Sequence, residues 1–169
     1  MNHEFKLVSA DGSLVCQLSG EALASLVYAL PNTKDMSDFY LALAKHPDSR
    51  VRENLAAKEH LPEEAVYLLA KDSSIDVVLA VVRNYCVREF LSIDDLMAVC
   101  RADPKLASEI AQNVETYANA DSQIMEYLES HPDSAVRQSL ANNRAVFTSL
   151  RRRMAKNDPD SGVRNAAST

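Results

Sequence analysis

Apolar residues recur three and four positions apart along most of the chain. The sets include Val51, Leu55 and Ala56; Ala65, Val66, Leu68 and Leu69; Val77, Val81 and Val82; Leu106, Ile110 and Ala111; and Val136, Leu140 and Ala141. This is the 3.6-residue period of helices that bury one face. Prolines and capping residues punctuate the pattern, so the expected helices are short. They run over residues 19–30, 38–45, 49–58, from Pro62, and then 72–84, 92–101, 104–113, 121–130, 132–143, 146–156 and 159–167. Ser92 and Asp95 have the spacing of a capping box, and Pro62 opens a helix with Glu63 and Glu64 beside its positive end. Phe39, Leu41, Leu43 and Ala44 carry the apolar positions of the 38–45 segment.

Only the start of the chain breaks this rhythm. Glu4 to Ala10 and Ser13 to Gln17 read as two short strands joined at Asp11-Gly12, a dipeptide suited to the positive φ of a tight turn. A helix capped by Ser19 follows, with Ala22, Leu23, Leu26, Val27 and Leu30 as its apolar stripe, and ends at Pro31. Residues 1–34 are therefore expected to form an N-terminal hairpin and capping helix, packed as one domain with a helical array over residues 35–169.

That array is repetitive. HPDSRVRENLA from His46 to Ala56 returns as HPDSAVRQSLA from His131 to Ala141, and in weaker form as NDPDSGVRNAAS from Asn157 to Ser168. Five copies of the second helix of each pair can be aligned, the first two being 26 residues apart. Self-similarity at a spacing of roughly 25 to 30 residues implies helical pairs that bury their apolar faces against neighbouring pairs. The expected fold class is all-α.

Val51-Arg52 and Leu55-Ala56, followed by Leu61-Pro62-Glu63-Glu64 and Leu68-Leu69-Ala70-Lys71-Asp72, resemble the leucine-rich-repeat-variant family and its HEAT-like relatives. The resemblance covers about residues 35–168. It implies a right-handed α-solenoid used as a protein-binding scaffold. One relative carries an iron-sulfur cluster on clustered cysteines; Cys16, Cys86 and Cys100 are not clustered, so that feature is not carried across.

Composition narrows the chemistry. Three glycines leave no phosphate-cradling loop, and three cysteines without CxxC spacing read as buried reduced thiols. No apolar run reaches the roughly 18 residues of a membrane span, and no basic leader opens the chain, so a cytoplasmic protein is expected; the sequence leaves its oligomeric state open, with a monomer as the default. Residues 1–143 carry 12 Lys and Arg against 22 Asp and Glu, whereas residues 144–169 carry 6 against 2. An acidic body works against nucleic acid, whose phosphates reward positive charge.

Candidate functional residues follow from position. Arg52, Arg137 and Arg164 each stand four residues after an aspartate, Asp48, Asp133 and Asp160, and read as a structural ladder between repeats; Val78 and Ala107 interrupt it. His46 and His131 occupy equivalent turn positions before a helix cap and cannot readily share a metal. If Val51, Leu55 and Ala56 face inward, then Arg50, Glu53 and Asn54 face outward, with Leu79, Arg83, Gln112, Gln138, Ser139 and Asn142 in matching places. Arg50, Glu53, Asn54, Arg83, Gln112, Gln138 and Asn142 are the expected contact residues for a protein or peptide partner along a concave face. Arg144, Arg151, Arg152, Arg153 and Lys156 form a candidate basic patch, the basis of an alternative in nucleic-acid or phosphate binding. A third reading is an accessory subunit of an enzyme. No constellation of residues signals catalysis, a cofactor or a metal.

Overall fold

The computed structural model describes residues 5–8, 10–31, 33–117 and 120–169. Among these the chain is helical apart from one short strand pair. Its contacts divide it into two compact units, Met1–Val87 and Arg88–Thr169.

In the first unit, β1 (Lys6–Val8) and β2 (Leu14–Gln17) pair antiparallel, with Lys6 opposite Gln17 and an irregularity after Leu7. Gly12 has φ 83°, and the Asp11 carboxylate accepts from the backbone N–H and the hydroxyl of Ser13. Glu4 and Ser9, two positions of the expected first strand, lie outside the described residues. The helices are α1 (Gly20–Ala29), α2 (Ser37–Leu43), α3 (Ser49–Ala56), α4 (Glu63–Ala70) and α5 (Ile75–Arg83). Helix α1 packs on α3 and α3 on α5, forming one layer; α2 and α4 pack on each other and against that layer. The expected N-terminal cap is thus continuous with the first helices of the array. Gly20 permits this approach, since a Cβ there would overlap the Asp48 carboxylate at the start of α3.

Which residues are buried follows from how many neighbours each helix has. Helix α1 packs mainly on α3 and buries Leu23, Ala24 and Val27; Ala22 and Leu26, expected in the stripe, are exposed. Helix α4 buries Ala65, Val66, Leu69 and Ala70, leaving Leu68 in solvent, 39% exposed. Helix α5 is covered by both α3 and α4, so a wider arc is closed and Leu79, expected to face outward, is buried with Val77, Val78, Val81 and Val82. Tyr40 is the largest fully buried side chain of α2, with its hydroxyl donating to the Pro31 carbonyl at 2.7 Å; Phe39 and Leu41 are only half-buried.

The second unit contains α6 (Ile93–Ala102), α7 (Pro104–Gln112), α8 (Ser122–Glu129), α9 (Ser134–Asn142), α10 (Thr148–Asn157) and α11 (Ser161–Ser168). Helix α7 packs on α9 and α9 on α11, while α6 and α8 pack on each other and on this layer, and α10 packs on α11. Several helices begin a residue or two later than the apolar pattern suggests, because their caps are extended: Asp133, at φ −78° and ψ 121°, accepts from the N–H of Ala135 instead of entering α9. The Ser92–Asp95 capping box is formed in both directions. Short 3₁₀ segments at Lys34–Met36, Tyr85–Phe90 and Val114–Thr116 fill connections that periodicity does not register.

Candidate functional site

The recurring HPDS-x-VR string is a joint. In the first unit, Arg52 Nη1 donates to the carbonyls of His46 and Pro47 at 2.6 and 3.0 Å, closing the turn before its own helix. Its Nε and Nη2 grip the Asp72 carboxylate at 2.6 and 2.9 Å, and Asp72 in turn accepts from the N–H of Ser74 at the start of α5. The second unit repeats this atom for atom. Arg137 Nη1 donates to the carbonyls of His131 and Pro132 at 2.8 and 3.2 Å, and its Nε and Nη2 hold Asp158 at 2.8 and 3.0 Å, with Asp158 accepting from the N–H of Asp160. Each arginine thus clamps the turn before its own helix to the turn before the next helix of the same layer, α5 for Arg52 and α11 for Arg137.

This corrects the expected ladder. Asp48 and Asp133 do not pair with Arg52 and Arg137; they cap α3 and α9, and Asp48 also binds the exposed Arg50 at 2.8 Å, which holds its carboxyl down at about 2. The acidic partners are Asp72 and Asp158, two residues ahead of their helix caps. Burial raises the Asp72 carboxyl, but bonds from Arg52 and the Ser74 N–H outweigh it and leave it below the usual carboxylate range; Asp158 is lowered chiefly by the Arg137 guanidinium. His46 and His131 occupy the place of Asp72 and Asp158 in their own repeats. Their Nδ1 atoms accept from the N–H of Asp48 and Asp133, both at 3.1 Å, so imidazole and carboxylate serve as interchangeable acceptors.

A second set of joints lies at the other end of the same helices. Lys58 Nζ donates to the carbonyls of Tyr28 and Leu30, Asn84 Nδ2 to those of Ala56 and Lys58, and Asn143 Nδ2 to that of Ala111. A helix leaves its last carbonyls without internal partners, and a donor from the neighbouring repeat supplies them. Asn113, at the matching position, bonds the Glu109 carbonyl in its own helix. The recurrence of Asn at 84, 113 and 143 is the sequence signal that could have revealed this role.

The expected partner-contact residues divide. Glu53, Arg50 and Arg83 are exposed, whereas Asn54 is half-buried and spends its amide on the Ala24 carbonyl at 2.8 Å, fastening α3 to α1. In the second unit Gln112, Gln138 and Asn142 are exposed. Gln112, Ser139, Asn142 and Asn143 line an open groove of about 440 Å³ between α7 and α9. Gln112 Nε2 reaches Ser139 Oγ at 3.5 Å, a long contact that a ligand could replace. Among the described lining residues Gln112, Ser139 and Asn142 are uncharged and carry both donors and acceptors, whereas the buried Asn143 spends its amide on the Ala111 carbonyl, the Glu115 carboxylate and the Ala145 N–H.

The candidate basic patch is dispersed. Arg153 is paired with Glu129 of α8 at 2.7 Å, and Arg151 is half-buried against α11, with Nη2 directed at the Ala167 carbonyl. Arg144, Arg152 and Lys156 remain exposed. Adjacent helical residues point about 100° apart, and neighbouring helices claim two of the three arginines. Another cavity of about 370 Å³ is lined by Glu129, His131, Arg137, Arg153 and Asp158, whose charged groups already satisfy one another. Cys100 is buried and its thiol is pushed up to about 12 by desolvation, but Cys86 is half-buried, against expectation. Among the described residues no group of three or more His, Cys, Asp and Glu is placed to hold a metal, and no helix is long and apolar enough to cross a membrane. Comparison with protein-family models, curated proteins and solved structures finds no match.

Proposed function

We propose that this chain is a non-enzymatic protein-interaction scaffold: a right-handed solenoid of helical pairs, similar to leucine-rich-repeat-variant and HEAT-like arrays, that binds an extended segment of a partner protein. The observation that carries this reading is the groove between α7 and α9, where Gln112, Ser139 and Asn142 present uncharged polar groups above the buried Asn143. A peptide backbone presents alternating N–H and C=O groups, and carboxamide side chains can answer both. The division of labour among side chains also supports it. Buried polar residues hold neighbouring helices in register, while most exposed positions of the same helices are polar and vary between repeats, as expected where binding information is separate from scaffolding. The basic C-terminal segment spends Arg151 and Arg153 within the chain, which weakens the alternative of phosphate or nucleic-acid binding.

Screening the full chain against an immobilised array of extended peptides tests the proposal. Selective peptides should emerge, and Gln112→Ala combined with Asn142→Ala should weaken them about tenfold, since two hydrogen bonds at about 0.5–1.5 kcal/mol each are lost. The control Lys156→Ala should leave affinity unchanged. Absence of selective peptides, or equal affinity in the double variant, refutes the reading.

A further inference from the structure

A carboxylate without a cation stands beside the groove between α7 and α9. Asn143, the buried residue of the lining, donates Nδ2 to Glu115 Oε2 at 2.6 Å and to the Ala111 carbonyl at 3.1 Å. These bonds tie the Glu115 carboxylate to the groove wall, although Glu115 itself is exposed on the 3₁₀ turn that follows α7. Among the described residues no lysine, arginine or histidine is paired with it. The backbone adds to its field: α7 and α9 end at Gln112 and Asn142, so the lining sits at the negative ends of two helix dipoles. Gln112, Ser139, Asn142 and Asn143 bring no positive charge, and none of the basic residues from Arg144 onward lines the groove.

We infer that Glu115 makes this groove selective for a basic segment of the partner protein, receiving the ammonium or guanidinium of a lysine or arginine while Gln112 and Asn142 hold the neighbouring backbone. The inference rests on the peptide-binding reading above and names the chemistry of the partner. An exposed carboxylate on a freely rotating side chain holds a cation weakly, since ordering the pair costs entropy. Here the bond from Asn143 to Oε2 orients the carboxylate before a visitor arrives, and Oε1 is left to accept from the visiting cation. Charge works in the same direction. The whole chain carries 18 basic against 24 acidic side chains, and residues 1–143 carry 12 against 22. A field of that sign draws a basic segment toward the chain and turns an acidic one away.

The test takes the peptides selected from the array, with acetylated N-termini, and remakes them with norleucine for lysine and citrulline for arginine, which keep the side-chain length and lose the charge. Neutral replacement at one shared position should weaken binding to the full chain by at least about threefold. The difference should shrink as salt rises from about 0.05 M to about 1 M. Glu115→Gln keeps an oxygen to accept from Asn143, and it should bring the charged and neutral peptides to equal affinity. The inference is overturned if the selected peptides share no basic position, if the neutral peptides bind as well as their parents, or if Glu115→Gln preserves the difference. Each of those results leaves the scaffold reading standing, because selective peptides still bind; an array without selective binders removes both. The comparison of charged and neutral peptides on the unaltered chain does not depend on the folding of any variant.

Discussion

Removing Arg137 should cost far more than removing the arginine beside the same motif in the first unit. Arg137→Met deletes four hydrogen bonds, two to Asp158 and one each to the carbonyls of His131 and Pro132. Asp158, 9% exposed, keeps only the bond from the Asp160 N–H. Breaking a buried pair in this way typically costs about 3–5 kcal/mol, because the surviving charge is left without compensation. Protonation sets a ceiling: neutralising an aspartate of ordinary pKa at pH 7 costs about 4 kcal/mol. The expected loss is therefore about 3–4 kcal/mol, which corresponds to a fall in the urea midpoint of at least about 1 M for slopes of about 1–3 kcal/mol/M. Arg137→Met with Asp158→Asn should recover a substantial part, because the variant then lacks a buried charge. Urea unfolding followed by circular dichroism at 222 nm measures all three proteins. Arg50→Ala, which breaks a pair whose arginine side chain is 59% exposed, should be indistinguishable from wild type. Equal losses for Arg137→Met and Arg50→Ala would refute the account of Arg137 as a joint between repeats.

Asn84→Ala should destabilise by about 1–3 kcal/mol, because the buried carbonyls of Ala56 and Lys58 lose their donor, whereas the exposed Asn142→Ala should leave the urea midpoint unchanged. Acid should weaken the fold through Asp72 and Asp158. Their carboxyls are lowered in the folded protein, so the stability they confer is present above the unfolded value of about 3.9 and is lost as pH falls through the folded values. Urea midpoints between about pH 5 and pH 3 should fall more steeply in wild type than in Asp158→Asn. In a Cys16→Ser background, a maleimide should modify Cys86 in the native protein and Cys100 only after denaturation, which mass spectrometry reads directly.

Much of the local architecture was legible because it depends on neighbours in sequence. The order of the helices, the Ser92–Asp95 capping box and the inward positions Val51, Leu55, Ala56, Val136, Leu140 and Ala141 all follow from period and cap chemistry. The boundaries shifted where extended caps such as Asp133 took a residue from the helix. Errors in burial arose where coverage by a second helix mattered: Leu68 and Leu26 lie outside the covered arc, and Leu79 lies within one that two helices close.

The candidate site was less legible. Arg52 and Arg137 could be singled out by recurrence, but their partners stand 20 and 21 residues away and look in sequence like ordinary turn aspartates. Asn54 shared the outward register of Glu53 yet lies near enough to Ala24 to be consumed by it. Arg151, Arg152 and Arg153 are contiguous in sequence and separate in space because α8 and α11 draw two of them away.

The sequence by itself determined that helices form, where they lie to within about three residues, and that they repeat, since each of these is set by interactions within about one turn of the backbone. Only the tertiary structure decided which carboxylate meets which arginine, which helix end receives an asparagine, and which polar side chains remain available to another molecule. Those choices depend on distances between residues 20 to 32 positions apart, and such distances exist only once the helices have packed.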